Sequence, residues 1–530
     1  MSARAKALRP VPRHRAARAE PETGPGNYLA RWPYLIDVCL AAAFGLAVLV
    51  VHDVPYMLRH SFWLDEAWVA DTVRAPIGLT RSLASSTPLG WTYLLRLVPF
   101  GGPERLRLVP LAFTMLAATA GYLLGRELHL HRYVTGILTG AAVLLSPAML
   151  VLNDLKQYTA EACACLVLWV LVARVENEWR IRRLVAIAAV SSVGLLFANT
   201  VIFIGVAAMA ALALECLVTR RYRQLLDVAA ASAGMLIVSL AIYLTLIRPT
   251  VTPLLVNFWR GFYVPTGSGH AALSFVYERL VILAPYAGFG SLIVDTIGVI
   301  AGIAALIWLR RIALAALFPV TLGIVLVASA AGKYPFGDQR TSTFWLVMPP
   351  VLMAIAVGGA GRLASRFDRR APVLVAAVAL AAWAPATVSY VRSHTLPDED
   401  AHAQVVYVDS HVRRGDIVLV GFKASYVFAY YYQGTPEFPT GAGPNGHVVA
   451  YPSRPSLVVL TSGTLPTIDK GLAEARAKIA AEPASARGRI WIIRSHQRPT
   501  EVQEWDRLLA GQRVQTIRVG PEPLLLYQPG

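Results

Sequence analysis

About eleven apolar runs, most of them near 20 residues long, recur along the 530-residue chain. A helix that crosses a bilayer needs about 20 predominantly apolar residues, and it must satisfy its backbone polar groups internally. The runs predict a polytopic α-helical membrane protein with spans at 33–52, 106–125, 133–152, 159–175, 184–198, 200–218, 225–247, 290–309, 312–331, 342–360 and 372–391. Charged residues make up only 15% of the chain, against about 25% in ordinary soluble domains.

The formal net charge is +17, which taken alone would suit a nucleic-acid binder. The basic residues form no soluble patch, however. They concentrate in the first 31 residues and in alternate loops: Arg126–Arg132, Arg174–Arg183, Arg220–Arg223, Arg310-Arg311 and Arg362–Arg370. That alternation is the positive-inside pattern. It predicts an integral plasma (inner) membrane protein with a cytoplasmic N-terminus. The segments 53–105, 153–158, 199–200, 248–289, 332–341 and everything after 391 then lie outside. Residues 1–31, basic and rich in Pro and Ala, read as a disordered cytoplasmic tail. The first span reads as a retained helix rather than a cleaved signal. Cys39, Cys163, Cys165 and Cys216 all fall in apolar spans, so no disulfide framework or zinc spacing is expected.

The expected organisation is a tail (1–31), a transmembrane domain (32–391) and an extracytoplasmic α/β domain (392–530). Two outer segments, 53–105 and 248–289, are long enough to be lids or binding loops. Residues 83–98 (LASSTPLGWTYLLRLV) have the spacing of an amphipathic helix lying along the membrane surface. After 391, strands at 414–420, 456–460 and 489–493 alternate with helical patterns at 466–482 and 499–511, and the chain closes on VQTIRV and LLLYQ. This predicts a mainly parallel sheet. It carries neither a GxGxxG turn nor a P-loop.

Residues able to do chemistry cluster on the outer side. Asp65 and Glu66 lie in LDEAW, Lys156 and Tyr158 in NDLKQY, and Lys333, Asp338 and Arg340 in GKYPFGDQRTSTFW. A carboxylate can take a proton from an acceptor hydroxyl, and Lys or Arg can neutralise a phosphate that gains charge as its sugar leaves. Phosphate leaves readily, so one base and one or two cations suffice. Inverting glycosidases, which protonate a poorer leaving oxygen, need two carboxyl groups. The plain readings are that Asp65-Glu66 starts a helix and that Lys156 and Arg340 are interfacial anchors. Trp259, Arg260 and Phe262 could face a sugar ring of the acceptor or anchor their segment at the interface.

The order of these motifs resembles the GT-C superfamily of integral membrane glycosyltransferases. The chain looks most like bacterial proteins similar to protein O-mannosyltransferases and to the aminoarabinose transferase of lipid A. The motifs are LDEAW (64–68), STPLGWTYLL (86–95), GPERLRLVP (102–110), NDLKQYTAE, YPFGDQRTSTFWLVMPP and EDAHAQVVYVDSHVRRGDIVLV. The resemblance implies a polyprenyl-phosphate-linked sugar donor and transfer with inversion on the outer face. The acceptor would be a hydroxyl of a cell-envelope polysaccharide, lipid or protein. Asp65 would be the base, and Glu66 a helper that orients it, holds a metal or starts a helix. Lys156 stands where relatives often carry Arg, in the basic-x-Tyr motif that ends at Tyr158. Lys333 and Arg340 would meet the donor phosphate. Some relatives use a divalent metal and others do not, so the cofactor is left open. Two other classes stay in view: a transporter or flippase, which would favour internal repeats and ionisable groups at mid-bilayer, and a non-catalytic assembly protein.

Overall fold

The computed structural model describes residues 32–80, 87–98, 102–251, 253–393, 399–432 and 456–529. The expected tail and residues 83–86 of the expected amphipathic helix lie outside these. Among the described residues, eight helices are long and apolar enough to cross a membrane: Tyr34–Val51, Pro103–Glu127, Tyr158–Asn177, Val201–Val218, Tyr222–Thr250, Ile312–Ala330, Gln339–Ala364 and Ala371–Ser393. A ninth crossing is possible where Gly269–Ala287 and Leu292–Trp308 join at a 76° bend.

Two of the expected runs are shorter or broken. The run 133–152 becomes a 13-residue helix, Arg132–Leu144, and a 3-10 turn, Pro147–Asn153. Pro147 disfavours helical backbone in the residue before it, and Ser146 is extended. The run 184–198 becomes a 14-residue helix, Ile181–Gly194. The segment 248–289, expected as a loop, contains the 19-residue helix Gly269–Ala287, with the Ser268 hydroxyl capping Ala271 N–H at 3.1 Å. Glu278 and Arg279 within it dilute its hydropathy, which is why the apolar count passed over it.

The Arg-rich loops meet at one end of the bundle. Arg174 pairs with Glu127 at 2.8 Å, Arg311 bonds Asn177, Glu176 accepts from Ala313 N–H at 2.9 Å, and Trp179 donates to Asp227 at 3.1 Å. Arg107, Lys156 and Lys333 lie at the opposite ends of Leu108–Glu127, Tyr158–Asn177 and Ile312–Ala330. The alternation in sequence thus becomes a separation in space.

Among the described residues the C-terminal part carries five strands, β1 (Ile417–Val420), β2 (Leu457–Val459), β3 (Ile490–Ile493), β4 (Arg513–Arg518) and β5 (Pro523–Gln528), in the order β2-β1-β3-β5-β4. The first three are parallel; β5 runs antiparallel to β3, and β4 to β5. Side chains alternate across the strands. Ile417, Leu419, Ile490 and Ile492 pack towards helices Leu465–Ala481 and Pro499–Leu509. Val418, Val420, Trp491 and Ile493 pack with Val405, Val408 and Phe428 of helices Ala401–His411 and Ser425–Tyr431. Burial on both faces explains the unbroken apolar run IVLV.

Candidate active site

Helix Leu64–Arg74 follows extended Trp63, with Asp65 and Glu66 in its first turn. A helix N-terminus favours carboxylates there. Consecutive helical side chains point about 100° apart, and this sends the two acids to different surroundings.

Asp65 is 9% exposed. Its Oδ2 accepts from Lys156 Nζ at 3.1 Å and from Arg340 Nη1 at 2.5 Å. Lys156 sits in the turn before Tyr158–Asn177. Asp154 Oδ1 accepts from the Lys156 backbone N–H at 3.0 Å, and buried Trp91 donates to the neighbouring Leu155 carbonyl at 2.6 Å. Trp91 is carried by helix Leu89–Leu97, whose Gly90 lets the backbone approach Leu196: a Cβ at Gly90 would stand 2.4 Å from the Leu196 carbonyl oxygen. This helix buries Trp91, Thr92 and Leu95 in the protein. Arg340 opens helix Gln339–Leu346, capped by Asp338, which accepts from the N–H groups of Arg340 (3.1 Å) and Thr341 (3.2 Å). Trp68 lies 5.7 Å from the Lys156 ammonium and Trp63 5.4 Å from the Arg340 guanidinium, so both cations also rest over aromatic faces. Burial pushes the Asp65 carboxyl up, but Lys156 and Arg340 together outweigh it and hold the group at about 2. Burial raises neighbouring Asp154, with Lys156 opposing.

Glu66 is fully buried and does not line the cavity. Arg107 grips both of its oxygens, at 2.8 Å through Nε and again through Nη2. Arg107 also donates to the carbonyls of Met57, His60 (2.8 Å) and Ser61 (3.1 Å). One arginine thus ties the entry of the Asp65 helix to the start of Leu108–Glu127. Burial pushes Glu66 up to about 7 against the pull of Arg107.

The cavity beside Asp65 has a volume of about 1620 Å³. Asp65, Lys156, Tyr158 and Arg340 line it together, and Lys333 stands exposed at its edge. From this polar end the lining continues along apolar residues of Val201–Val218 and Tyr222–Ile242, including Phe203, Val206, Leu236 and Leu240. The latter helix passes into a π turn, Tyr243–Ile247, whose Tyr243 and Leu246 also face the cavity. Trp259 lines it, whereas Arg260 and Phe262 do not. Phe262 instead supports the fold, its carbonyl accepting from Phe336 N–H at 2.7 Å and its ring lying 4.7 Å from the Arg279 guanidinium.

Another wall comes from the C-terminal part, through Glu399, Lys423, Tyr426 and His496 among others. Helix Ser425–Tyr431 packs on the Asp65 helix, with Trp68 and Tyr426 ring centroids 5.2 Å apart and Arg74 donating to Ala429 O at 2.8 Å. Sequence reasoning missed this wall, and also Asp154 and Trp91 as supports of Lys156. Trp91, Asp154 and Glu399 lie inside motifs quoted above, whereas Lys423, Tyr426 and His496 carried no such signal. Among the described residues, no group of three or more His, Cys, Asp or Glu is placed to hold a metal ion. Both Glu66 oxygens are already taken by Arg107.

No protein-family model and no curated protein matches the sequence. Solved structures do match in fold. ArnT from Cupriavidus metallidurans bound to undecaprenyl phosphate aligns over 94% of this chain and 100% of its own, with 13% identity and a TM-score of 0.53. The apo state of ArnT aligns over 95% and 100%, with 13% identity and a TM-score of 0.52. The Archaeoglobus fulgidus oligosaccharyltransferase, tethered to an acceptor peptide containing the NVT sequon, aligns over 76% of this chain and 64% of its own, with 12% identity and a TM-score of 0.50. These are GT-C membrane glycosyltransferases, and the chain has their fold.

Proposed function

We propose that this protein is a membrane glycosyltransferase of the GT-C type. It moves a sugar, with inversion, from a polyprenyl-phosphate donor to a hydroxyl of a polysaccharide, lipid or protein on the outer face of the plasma membrane. The observation that carries this reading is Asp65, shared between Lys156 and Arg340 at the polar end of a cavity that continues along apolar helices. A polyprenyl phosphate has the matching order of parts, an anionic head on an apolar chain. The undecaprenyl phosphate bound by ArnT supports such a donor, and the acceptor peptide on the oligosaccharyltransferase supports an acceptor outside the lipid. The alternation of Arg-rich loops supports the assignment of sides.

The resting ion cluster suggests how the donor prepares the base. A donor phosphate competes with Asp65 for Lys156 and Arg340. As the cations turn to the phosphate, burial dominates at Asp65 and its basicity rises. Asp65 then accepts the proton of the acceptor hydroxyl while that oxygen attacks the anomeric carbon. The bond from that carbon to the phosphate oxygen breaks, and polyprenyl phosphate departs with the electron pair, neutralised by Lys156 and Arg340. Tyr158 offers the phosphate a hydroxyl, Lys333 attracts the anionic head at the edge, and Trp259 offers an aromatic face. Glu66 acts only through the Arg107 clamp.

The test is a donor screen with purified protein. Release of polyprenyl phosphate from at least one polyprenyl-phosphate sugar is expected, and it should be lost in a folded Asp65→Asn variant. Full turnover by that variant would remove Asp65 from the mechanism. Absence of turnover with every donor, beside a working control enzyme, would count against the function itself.

A further inference from the structure

The parallel strands run in the order β2-β1-β3, so the chain leaves β1 towards one side and later returns on the other. In open α/β sheets, ligands bind outside the carboxyl ends of the strands, at the point where the order reverses. Here that point lies between the loops following β1 and β3, and these loops supply Phe422, Lys423, His496 and Arg498 to the cavity that Asp65 lines.

The loop after β3 is built with unusual care. His496 has φ +52°, a left-handed conformation uncommon for a residue with a side chain. Its N–H donates to Glu522 Oε1 at 2.7 Å, and its carbonyl accepts from Lys423 Nζ at 2.8 Å. The Gln404 amide joins the Arg494 and Glu522 carbonyls at 3.1 Å each. The imidazole bonds Glu399 Oε1. Glu399 Oε2 is shielded from solvent and has no hydrogen-bond partner among the described residues, and Glu399 and Glu522 both line the cavity. Lys423 is committed to Glu501 (3.2 Å) and to the His496 carbonyl.

We propose that this carboxyl edge is the acceptor-recognising wall, and that Glu399, Glu522 and His496 bind a neutral, hydroxyl-rich glycan. Ionised carboxylate oxygens only accept hydrogen bonds, so they need donors, which sugar hydroxyls supply in adjacent pairs. Phe422 and Tyr426 add apolar ring surface of the kind that covers the C–H face of a sugar. A polyanionic acceptor would meet the carboxylates of Glu399 and Glu522 on this wall, where Lys423 is already engaged by Glu501 and the His496 carbonyl, and the His496 imidazole by Glu399. This inference rests on the transferase reading for its biological meaning but can be tested without turnover.

The experiment is direct binding of neutral hexasaccharides of mannose, glucose and galactose to the full-length protein in detergent, by calorimetry, with undecaprenyl phosphate titrated separately. At least one hexasaccharide should bind. Glu399→Gln and Glu522→Gln should each weaken it tenfold or more and leave undecaprenyl phosphate affinity within twofold. His496→Gly relaxes the left-handed backbone, so at pH 9, where the imidazole has lost its charge, thermal stability should hold or rise while hexasaccharide binding falls; His496→Asn, which tolerates that backbone and keeps a polar group, should restore part of it. Where turnover is seen, the same variants should raise KM for the glycan. Hexasaccharide binding without turnover leaves the wall intact and sinks the transferase reading. The wall is overturned if no hexasaccharide binds the native protein, if the variants bind glycan normally, if they lose undecaprenyl phosphate equally, or if a serine-containing peptide binds there instead.

Discussion

The two sides of helix Leu64–Arg74 use the same chemistry for opposite ends. On the inner side Glu66 meets one arginine that is itself fully enclosed, and every strong hydrogen bond of the pair is closed within the protein. On the cavity side Asp65 meets two cations from distant segments, next to open space. A closed pair resists exchange because breaking it strands a charge in a dry interior. A shared carboxylate at a cavity can give up its cations to an incoming anion. Adjacent residues of like charge thus become a fastener and a reactive group.

The comparison breaks most visibly at Asp65. Asp65→Asn should keep the fold and lower transfer by about 10²–10⁴-fold, the usual worth of a positioned general base, read as initial rates of polyprenyl phosphate release. Next in size is the clamp. Glu66→Gln or Arg107→Met should cost about 3–5 kcal/mol of stability by leaving the partner charge uncompensated, seen as a fall in Tm and in folded yield. The double variant Glu66→Leu/Arg107→Met should recover much of that loss. If the double variant is as unstable as the singles, the clamp is not a simple ion pair.

Arg340→Lys keeps the charge but not the planar fork. It should weaken undecaprenyl phosphate binding about tenfold and leave Tm nearly unchanged.

Acid offers a finer test. Asp65 is held below its usual value, so its pairing stabilises the fold above pH of about 4. That contribution fades as pH falls towards about 2. Native protein should lose stability over that window more steeply than Asp65→Asn.

The smallest effect lies on the sheet-side wall. The Glu399 hydrogen bond raises the His496 pKa against its burial, with Lys423 opposing and Asp65 assisting. A raised histidine stabilises fully below pH of about 6.5 and loses that contribution as pH rises through the folded value. Thermal shifts at pH 6 and pH 9 should therefore differ more for the native chain than for His496→Asn.

Much of this was legible in the chain because it rests on local rules. Apolar length marks most spanning helices, and the clustering of Arg marks which loops gather at one end. Where competing terms entered, the reading slipped. Pro147 cut a span short, and Glu278-Arg279 hid the helix Gly269–Ala287 inside a supposed loop. Asp65, Lys156, Tyr158, Lys333, Arg340 and Trp259 do reach one cavity; Glu66, Arg260 and Phe262 do not.

By itself the sequence determined a polytopic helical bundle, the sorting of its loops and the charges available to a phosphate, since hydropathy, charge bias and residue type are properties of short segments. Only the tertiary structure decided which acid faces the cavity, that Lys156 and Arg340 converge on it from segments far apart in the chain, and that the sheet closes another wall. Those outcomes depend on helix rotation and long-range packing, where a 100° step sends one neighbour to a ligand-sized space and the other to a buried arginine.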